Sequence, residues 1–139
     1  MLLDSSFYEK SINDFISTFK KIFSANIVVK DKFCDIDNKG YFKIVFKYLP
    51  LNYDIIVENE IRTFTITIED EGKAKNSLYR IEKFDNTLDE ENIKKALCIL
   101  KRILDKNEFN LYLYKDKKIY KKYGDELKRV KDLKELLNG

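Results

Sequence analysis

Between residues 41 and 69 the sequence alternates apolar and polar side chains with the period of two that is typical of β-strands. Three segments, Tyr41–Leu49, Tyr53–Glu58 and Ile61–Glu69, follow this pattern and are rich in β-branched and aromatic residues. Short connections separate them, so consecutive strands are expected to pair antiparallel. The pattern predicts a meander with one buried face, formed by Phe42, Ile44, Phe46, Tyr48, Tyr53, Ile55, Val57, Phe64, Ile66 and Ile68.

The register of the two hairpins follows from the same pattern, because a one-residue slip would turn a strand over and expose its apolar side chains. A four-residue loop, Leu49–Asn52, places Phe46 opposite Ile55. A two-residue turn at Asn59-Glu60 places Ile55 opposite Phe64. Both registers keep the apolar positions on one face of the sheet.

Apolar residues at helical spacing predict helices before and after the meander. The first helix begins at a capping-box sequence at Ser6 and runs to Phe23. The second begins at another capping box at Thr87 and ends near Asn107. A short third helix is predicted over residues 127–137.

Further strands complete the predicted order. Ile27–Cys34 precedes the meander, Leu78–Phe84 is a weaker strand pattern, and Phe109–Lys115 with Lys118–Tyr123 form a hairpin with a two-residue turn. The sequence therefore predicts one α+β domain over residues 1–139, with the order α-β-β-β-β-(β)-α-β-β-α. Its helices are expected to pack on one face of an antiparallel sheet.

The chain contains no histidine, which excludes Ser-His-Asp and Cys-His catalysis and histidine-ligated metal centres. Its four glycines form no phosphate-binding loop or nucleophile elbow. Cys34 and Cys98 lack the spacing of a zinc or iron–sulfur site, and we expect both to be free thiols in the core. We therefore expect a protein that is not an enzyme and that uses no metal or other cofactor.

Acidic clusters offer the remaining route to catalysis or metal binding. Asp35–Gly40 begins like an EF-hand loop, but Lys39 and Phe46 occupy ligand positions, so a turn is the expected structure. The carboxylates within residues 69–71 and 85–91 could supply a general acid and base if two of them met in a cleft. The second group lies in part at the start of a predicted helix, where the helix dipole favours negative charge.

The hairpin near the C-terminus carries the candidate binding site. One of its faces combines tyrosines with lysines, and tyrosine supplies a large contact area with a polar tip. The alternative is that these tyrosines continue the sheet and pack beneath a helix. The predicted partner-binding residues are Tyr112, Tyr114, Lys118, Lys121 and Tyr123.

Charge is unevenly distributed, which leaves a nucleic-acid partner as an alternative. The whole chain has a net charge of +3, whereas residues 110–139 carry 9 basic and 5 acidic side chains. Lysines among aromatic residues are typical of surfaces that hold single-stranded nucleic acid. Lysines at a hairpin tip also protect a sheet edge from aggregation.

No membrane partner is expected, because the longest apolar run, Ala96–Leu100, has five residues. The N-terminal residues lack the pattern of a signal peptide. These observations predict a cytoplasmic protein.

Two resemblances bear on function. The stretch from Asn92–Leu97 to Phe109–Lys121 resembles immunity proteins of bacterial polymorphic toxin systems, which are small and catalytically inert. The resemblance implies a protein that binds and blocks a toxin. The order helix, meander, helix, hairpin, helix is similar to that of type III secretion chaperones, which implies a dimer.

The leading hypothesis is a cytoplasmic, non-catalytic protein-binding module of the inhibitor or immunity type, which occludes a partner protein. The alternatives are a nucleic-acid-binding protein that uses the basic hairpin and a dimeric protein similar to secretion chaperones. The sequence leaves the oligomeric state open.

Overall fold

The computed structural model describes residues 5–35, 40–123 and 126–131. Three α-helices are present in this part of the chain: α1 (Ser5–Phe23), α2 (Leu78–Ile81) and α3 (Glu90–Lys106). The strands are β1 (Ile27–Asp35), β2 (Tyr41–Tyr48), β3 (Tyr53–Glu60), β4 (Thr63–Glu69), β5 (Lys75–Ser77), β6 (Asn110–Lys115), β7 (Lys118–Tyr123) and β8 (Glu126–Arg129). They form one antiparallel sheet whose spatial order follows the chain order from β1 to β8.

The predicted α+β class and the predicted meander are confirmed. In β2 the even-numbered side chains are buried and the odd-numbered ones are partly exposed, as the period-two pattern requires. Phe46 lies opposite Ile55, so the register predicted for the first hairpin is also confirmed.

The register predicted for the second hairpin is wrong. The turn lies at Ile61-Arg62, and Ile55 therefore lies opposite Ile68 rather than Phe64. The shift is an even number of residues, so the same side chains remain on the buried face. The physical reason is Asn59, which extends β3 instead of starting the turn.

The Asn59 side chain is buried and fully used. Its Oδ1 accepts a hydrogen bond from the backbone amide of Phe42 at 2.7 Å, and its Nδ2 donates to the carbonyl of Gly40 at 2.7 Å. Nδ2 also donates to the carbonyl of Ile61 at 3.3 Å. Asn59 thus ties the start of β2 to the turn between β3 and β4, and buried backbone groups gain the partners that they need.

Helices α1 and α3 contact each other, and their buried stripes join the same hydrophobic core as the inward face of the sheet. The phenylalanines of α1 lie directly on the meander. Phe19 stacks on Phe46 with ring centroids 4.0 Å apart, and Phe15 meets Phe64 edge-on at 5.1 Å. Burying an aromatic side chain of this kind contributes about 1.5–3 kcal/mol.

The ends of α3 differ in part from the prediction. Asp89, not Thr87, is the N-cap, and its side chain accepts a hydrogen bond from the backbone amide of Asn92 at 2.8 Å. Asn107 ends the helix as predicted, with a left-handed φ of 51° and its amide donating to the carbonyl of Ile103.

Two predicted elements are wrong in type. Leu78–Phe84 was expected as a strand, but the three-residue β5 precedes it and its first half is the helix α2, with Leu78 buried in the core. Residues 126–129 form β8 rather than the start of a helix, because β7 offers them a strand edge to pair with. Residues 133 and 137 of the predicted helix lie outside the described residues.

Cys34 and Cys98 are free thiols, but both are exposed, so their predicted place in the core is wrong. Cys34 lies on the edge strand β1, and Cys98 lies on the outer side of α3, away from the buried stripe. Small apolar side chains are common at such exposed positions and need no partner.

The sheet face opposite α1 and α3 is called the open face below. It carries the side chains that alternate with the buried ones, including Tyr41, Val45, Ile56, Thr65 and Tyr112. These side chains range from half-buried to exposed. A sheet of this kind buries one face in its own core and leaves the other to solvent or to a partner.

Ile61 is strained in the turn between β3 and β4, since its φ of 55° lies in the left-handed region that β-branched residues disfavour. Its side chain is 47% exposed, so little burial is lost if it is removed. We expect Ile61→Gly to raise the free energy of unfolding by about 1 kcal/mol, as measured by urea denaturation.

The matched control is Thr65→Gly, which is also exposed but has no positive φ. It should lower the free energy of unfolding by about 0.5–1 kcal/mol. Equal destabilisation by both substitutions would show that the Ile61 backbone is not strained.

Candidate functional site

The hairpin β6–β7 has the predicted turn and register. Asp116 and Lys117 form the turn, with φ values of 53° and 63°. Tyr114 lies opposite Ile119 and Tyr112 lies opposite Lys121. The hairpin therefore places Tyr112, Tyr114 and Tyr123 on one face of the sheet and Tyr120 on the other.

Four of the five predicted partner-binding residues share the open face: Tyr112, Tyr114, Lys121 and Tyr123. Lys118 pairs with Lys115 and lies on the opposite face, so the structure does not bring it together with the others. Tyr114 is 71% exposed and Tyr123 is 49% exposed. The hairpin continues the sheet, as the alternative expected, but Tyr114 and Tyr123 do not pack beneath a helix, so that part of the alternative is wrong.

A cleft of about 690 Å³ lies on the open face where β4, β5 and α2 meet the β6–β7 hairpin. Its size is within the range of roughly 300–1,000 Å³ that is usual for ligand pockets. Of the predicted binding residues, Tyr112 and Tyr114 line the cleft, whereas Lys121 and Tyr123 lie beyond it. The lining also includes Thr67, Glu69, Lys73, Lys75, Ser77, Arg80, Leu113 and Ile119.

The cleft exists because the sheet is poorly closed at β5. This strand has three residues and pairs with β6 at a single residue pair, Lys75 with Tyr112. In contrast, β6 pairs with β7 along its whole length. Residues 113–115 of β6 therefore have no strand beside them on the side that faces β5, among the described residues.

Arg80 and Tyr112 form the most specific contact in the cleft. The guanidinium carbon of Arg80 lies 4.9 Å from the centroid of the Tyr112 ring, which is a cation–π arrangement. The Tyr112 hydroxyl is buried and has no hydrogen-bond partner in the described part of the chain. A buried hydroxyl without a partner loses a hydrogen bond that it makes in water.

The charged lining of the cleft is three cations and one carboxylate. Lys73 lies 3.8 Å from Glu69. Lys75 and Arg80 have no carboxylate within 4.0 Å among residues 5–35, 40–123 and 126–131. The cleft therefore has an excess of positive charge that the described chain does not neutralise.

Two lysines on the β1–β3 half of the open face do contact a carboxylate. Asp54 lies 2.9 Å from both Lys30 and Lys47. Tyr41 donates a hydrogen bond to Glu58 at 2.7 Å. Burial of the Tyr41 hydroxyl and its bond to Glu58 raise the pKa of Tyr41 to about 12.

Members of both acidic clusters make structural contacts. Asp70 is buried, and its carboxylate accepts from the backbone amide of Ala74 at 2.9 Å and from Lys122 at 2.6 Å. Asp85 accepts from the backbone amide of Thr87 at 3.0 Å, and this hydrogen bond lowers the pKa of Asp85. Within the described residues no three Cys, Asp or Glu side chains are grouped so that they could hold a metal ion.

Comparison of the chain with protein-family models, curated proteins and solved structures finds no match. None of the helices in the described ranges combines the length and apolar character needed to cross a bilayer. The resemblances to immunity proteins and secretion chaperones therefore stay predictions.

Lys122 connects β7 to the loop between β4 and β5 through its ion pair with Asp70, whose side chain is only 6% exposed. Removing the ammonium group leaves a nearly buried carboxylate without its charged partner. We expect Lys122→Met to lower the free energy of unfolding by about 1–3 kcal/mol, as measured by urea denaturation.

Lys121→Met is the matched control, because Lys121 is adjacent in sequence but lies on the open face. It should change the free energy of unfolding by less than about 0.5 kcal/mol. Similar losses in both variants would contradict a specific role for the pair between Asp70 and Lys122.

The pH dependence of stability tests the two ion pairs that Asp54 makes on the open face. Burial alone would raise the pKa of Asp54, but Lys30 and Lys47 outweigh it and hold the pKa below its usual value of 3.8. A carboxylate whose pKa is lowered by folding stabilises the fold at pH values above its usual pKa. This stabilisation is lost as the pH falls through the folded-state pKa.

Asp54→Asn should therefore be less stable than the wild type at pH 7, and the difference should shrink as the pH falls below 3.8. The measurement is urea denaturation at a series of pH values. Glu60→Gln, at an exposed position, should show no such trend. A stability difference for Asp54→Asn that is constant down to pH 2.5 would contradict the interpretation.

Proposed function

We propose that this protein binds another protein through its open face, with the cleft at the centre of the contact, and that it does so without catalysis. The observation that carries the proposal is the exposed Tyr114 beside the Arg80–Tyr112 pair. Tyrosine and arginine are the residues that contribute most often to the energetic centres of protein interfaces.

The dimensions of the sheet support this proposal. Eight strands at a spacing of about 4.8 Å are roughly 34 Å wide, and six residues extend about 20 Å along a strand. The open face therefore offers roughly 700 Å², which is close to the about 800 Å² per partner of a standard protein interface. A partner docked here need not contact α1 or α3.

The proposed role is that of an inhibitor or immunity-type protein, which covers a functional surface of its partner. A broad sheet face with a cleft can exclude other ligands from the surface that it covers. The proposed place of action is the cytoplasm, and the two free cysteines are consistent with a reducing compartment.

The test compares two exposed tyrosines of the same hairpin, Tyr114 in the cleft and Tyr123 outside it. A protein that the wild type captures from its native cells is purified, and its Kd is measured by isothermal titration calorimetry. Tyr114→Ala should weaken binding by about 30-fold, the effect of losing an interface residue that contributes about 2 kcal/mol.

Tyr123→Ala is the control and should weaken binding by less than about threefold. Thermal unfolding should be alike in the two variants, since both side chains are exposed. The proposal fails if no captured protein binds the wild type more tightly than it binds Tyr114→Ala.

A further inference from the structure

We propose that the cleft takes an extended, acidic polypeptide segment, which lies along β6 and places a carboxylate at Arg80 and Lys75. This inference rests on the proposed function, because it names the part of the partner that the cleft recognises. Three observations support it: the gap in the sheet past Tyr112, the lack of a carboxylate near Arg80 and Lys75 among the described residues, and the wall formed by Tyr114 and Ile119.

The gap in the sheet determines the shape of the ligand. Past Tyr112, the edge of β6 that points toward β5 has no strand beside it in the described ranges, and Leu113 and Tyr114 line the cleft there. Residues 113–115 extend about 10 Å. A strand edge of this length without a neighbouring strand can accept a short extended peptide as an added strand.

The cations determine the charge of the ligand. The guanidinium carbon of Arg80 lies over the Tyr112 ring, and no carboxylate of the described residues lies within 4.0 Å of this guanidinium. Its planar set of N–H groups can therefore donate to a ligand. A carboxylate can accept two of these hydrogen bonds at once. Lys75 lies directly opposite Tyr112 in the sheet, so its ammonium group can reach the same anion.

The remaining lining favours an apolar side chain near the carboxylate. Tyr114 and Ile119 are cross-strand neighbours on the open face and form one wall of the cleft. In an extended segment, residues two apart point to the same side. An acidic residue and an aromatic or aliphatic residue two positions away would therefore both reach the cleft.

A peptide fits this cleft better than a nucleic acid. Single-stranded nucleic acid carries a phosphate at each nucleotide and is held by a groove of continuous positive charge. Here Glu69 lies in the lining, and it is close to Lys73. Arg80 and Lys75, which contact no carboxylate in the part of the chain that the structure describes, match one or two carboxylates rather than a row of phosphates.

The test uses three fluorescein-labelled probes and measures fluorescence anisotropy with the full chain. The first probe is an eight-residue peptide that repeats Glu-Ser-Phe-Ser, the second repeats Gln-Ser-Phe-Ser, and the third is a ten-nucleotide oligothymidylate. The wild type should bind the glutamate peptide about tenfold more tightly than the glutamine peptide, because hydrogen bonds to a charged group are lost in the second.

The variants Arg80→Gln and Lys75→Gln remove the two cations. Arg80→Gln should weaken binding of the glutamate peptide about tenfold. Lys75→Gln should weaken this binding less, because a lysine ammonium group donates to one carboxylate oxygen at a time. Lys94→Gln, at an exposed position on α3, is the charge-matched control and should leave the Kd unchanged.

Equal binding of the glutamate and glutamine peptides would overturn the inference. So would oligothymidylate binding that is tighter than peptide binding and that is lost in Arg80→Gln, since the cleft would then be a nucleic-acid site. If Tyr114→Ala weakens binding of the captured partner but Arg80→Gln does not, the proposed function is supported and the proposal of an acidic segment is wrong.

Discussion

The stacking of Phe19 on Phe46, with ring centroids 4.0 Å apart, decides which face of the sheet is buried. Side chains alternate along a strand, so an inward Phe46 requires an outward Val45 and Lys47. Because paired residues on neighbouring strands point to the same face, the pairing of β3 and β4 fixes the inward side chains across the meander. The pairing of β5 and β6 extends this assignment to the hairpin. The position of the cleft on the open face is therefore a consequence of where α1 packs.

The buried face was predictable because local pattern and long-range pairing agree on it. The second turn was not, because asparagine favours turns by propensity and Asn59 instead lies buried, with partners on β2. Those partners are 17 and 19 residues away, so no local rule contains them. The same competition explains residues 126–129. The sequence from 127 to 137 has helical apolar spacing, but the edge of β7 is the partner available to residues 126–129.

The candidate site was predictable in part for a related reason. The tyrosines of β6 were identified because a hairpin assigns faces from the sequence alone, once its turn is known. Arg80 was missed because its segment has a weak strand pattern, whereas Leu78 is drawn into the core and the chain turns into α2. The contact between Arg80 and Tyr112 joins residues from different elements, and only the assembled fold brings them together.

The two halves of the open face differ in how a partner would have to meet them. On the β1–β3 half, Lys30 and Lys47 each lie 2.9 Å from Asp54, so both ammonium groups already contact a carboxylate of the chain itself. In the cleft, Arg80 and Lys75 lack such a neighbour among the described residues, and covering them with an apolar surface would remove water without replacing its hydrogen bonds. A partner without a carboxylate at this point would therefore bind poorly, which is how unpaired charges give an interface its specificity.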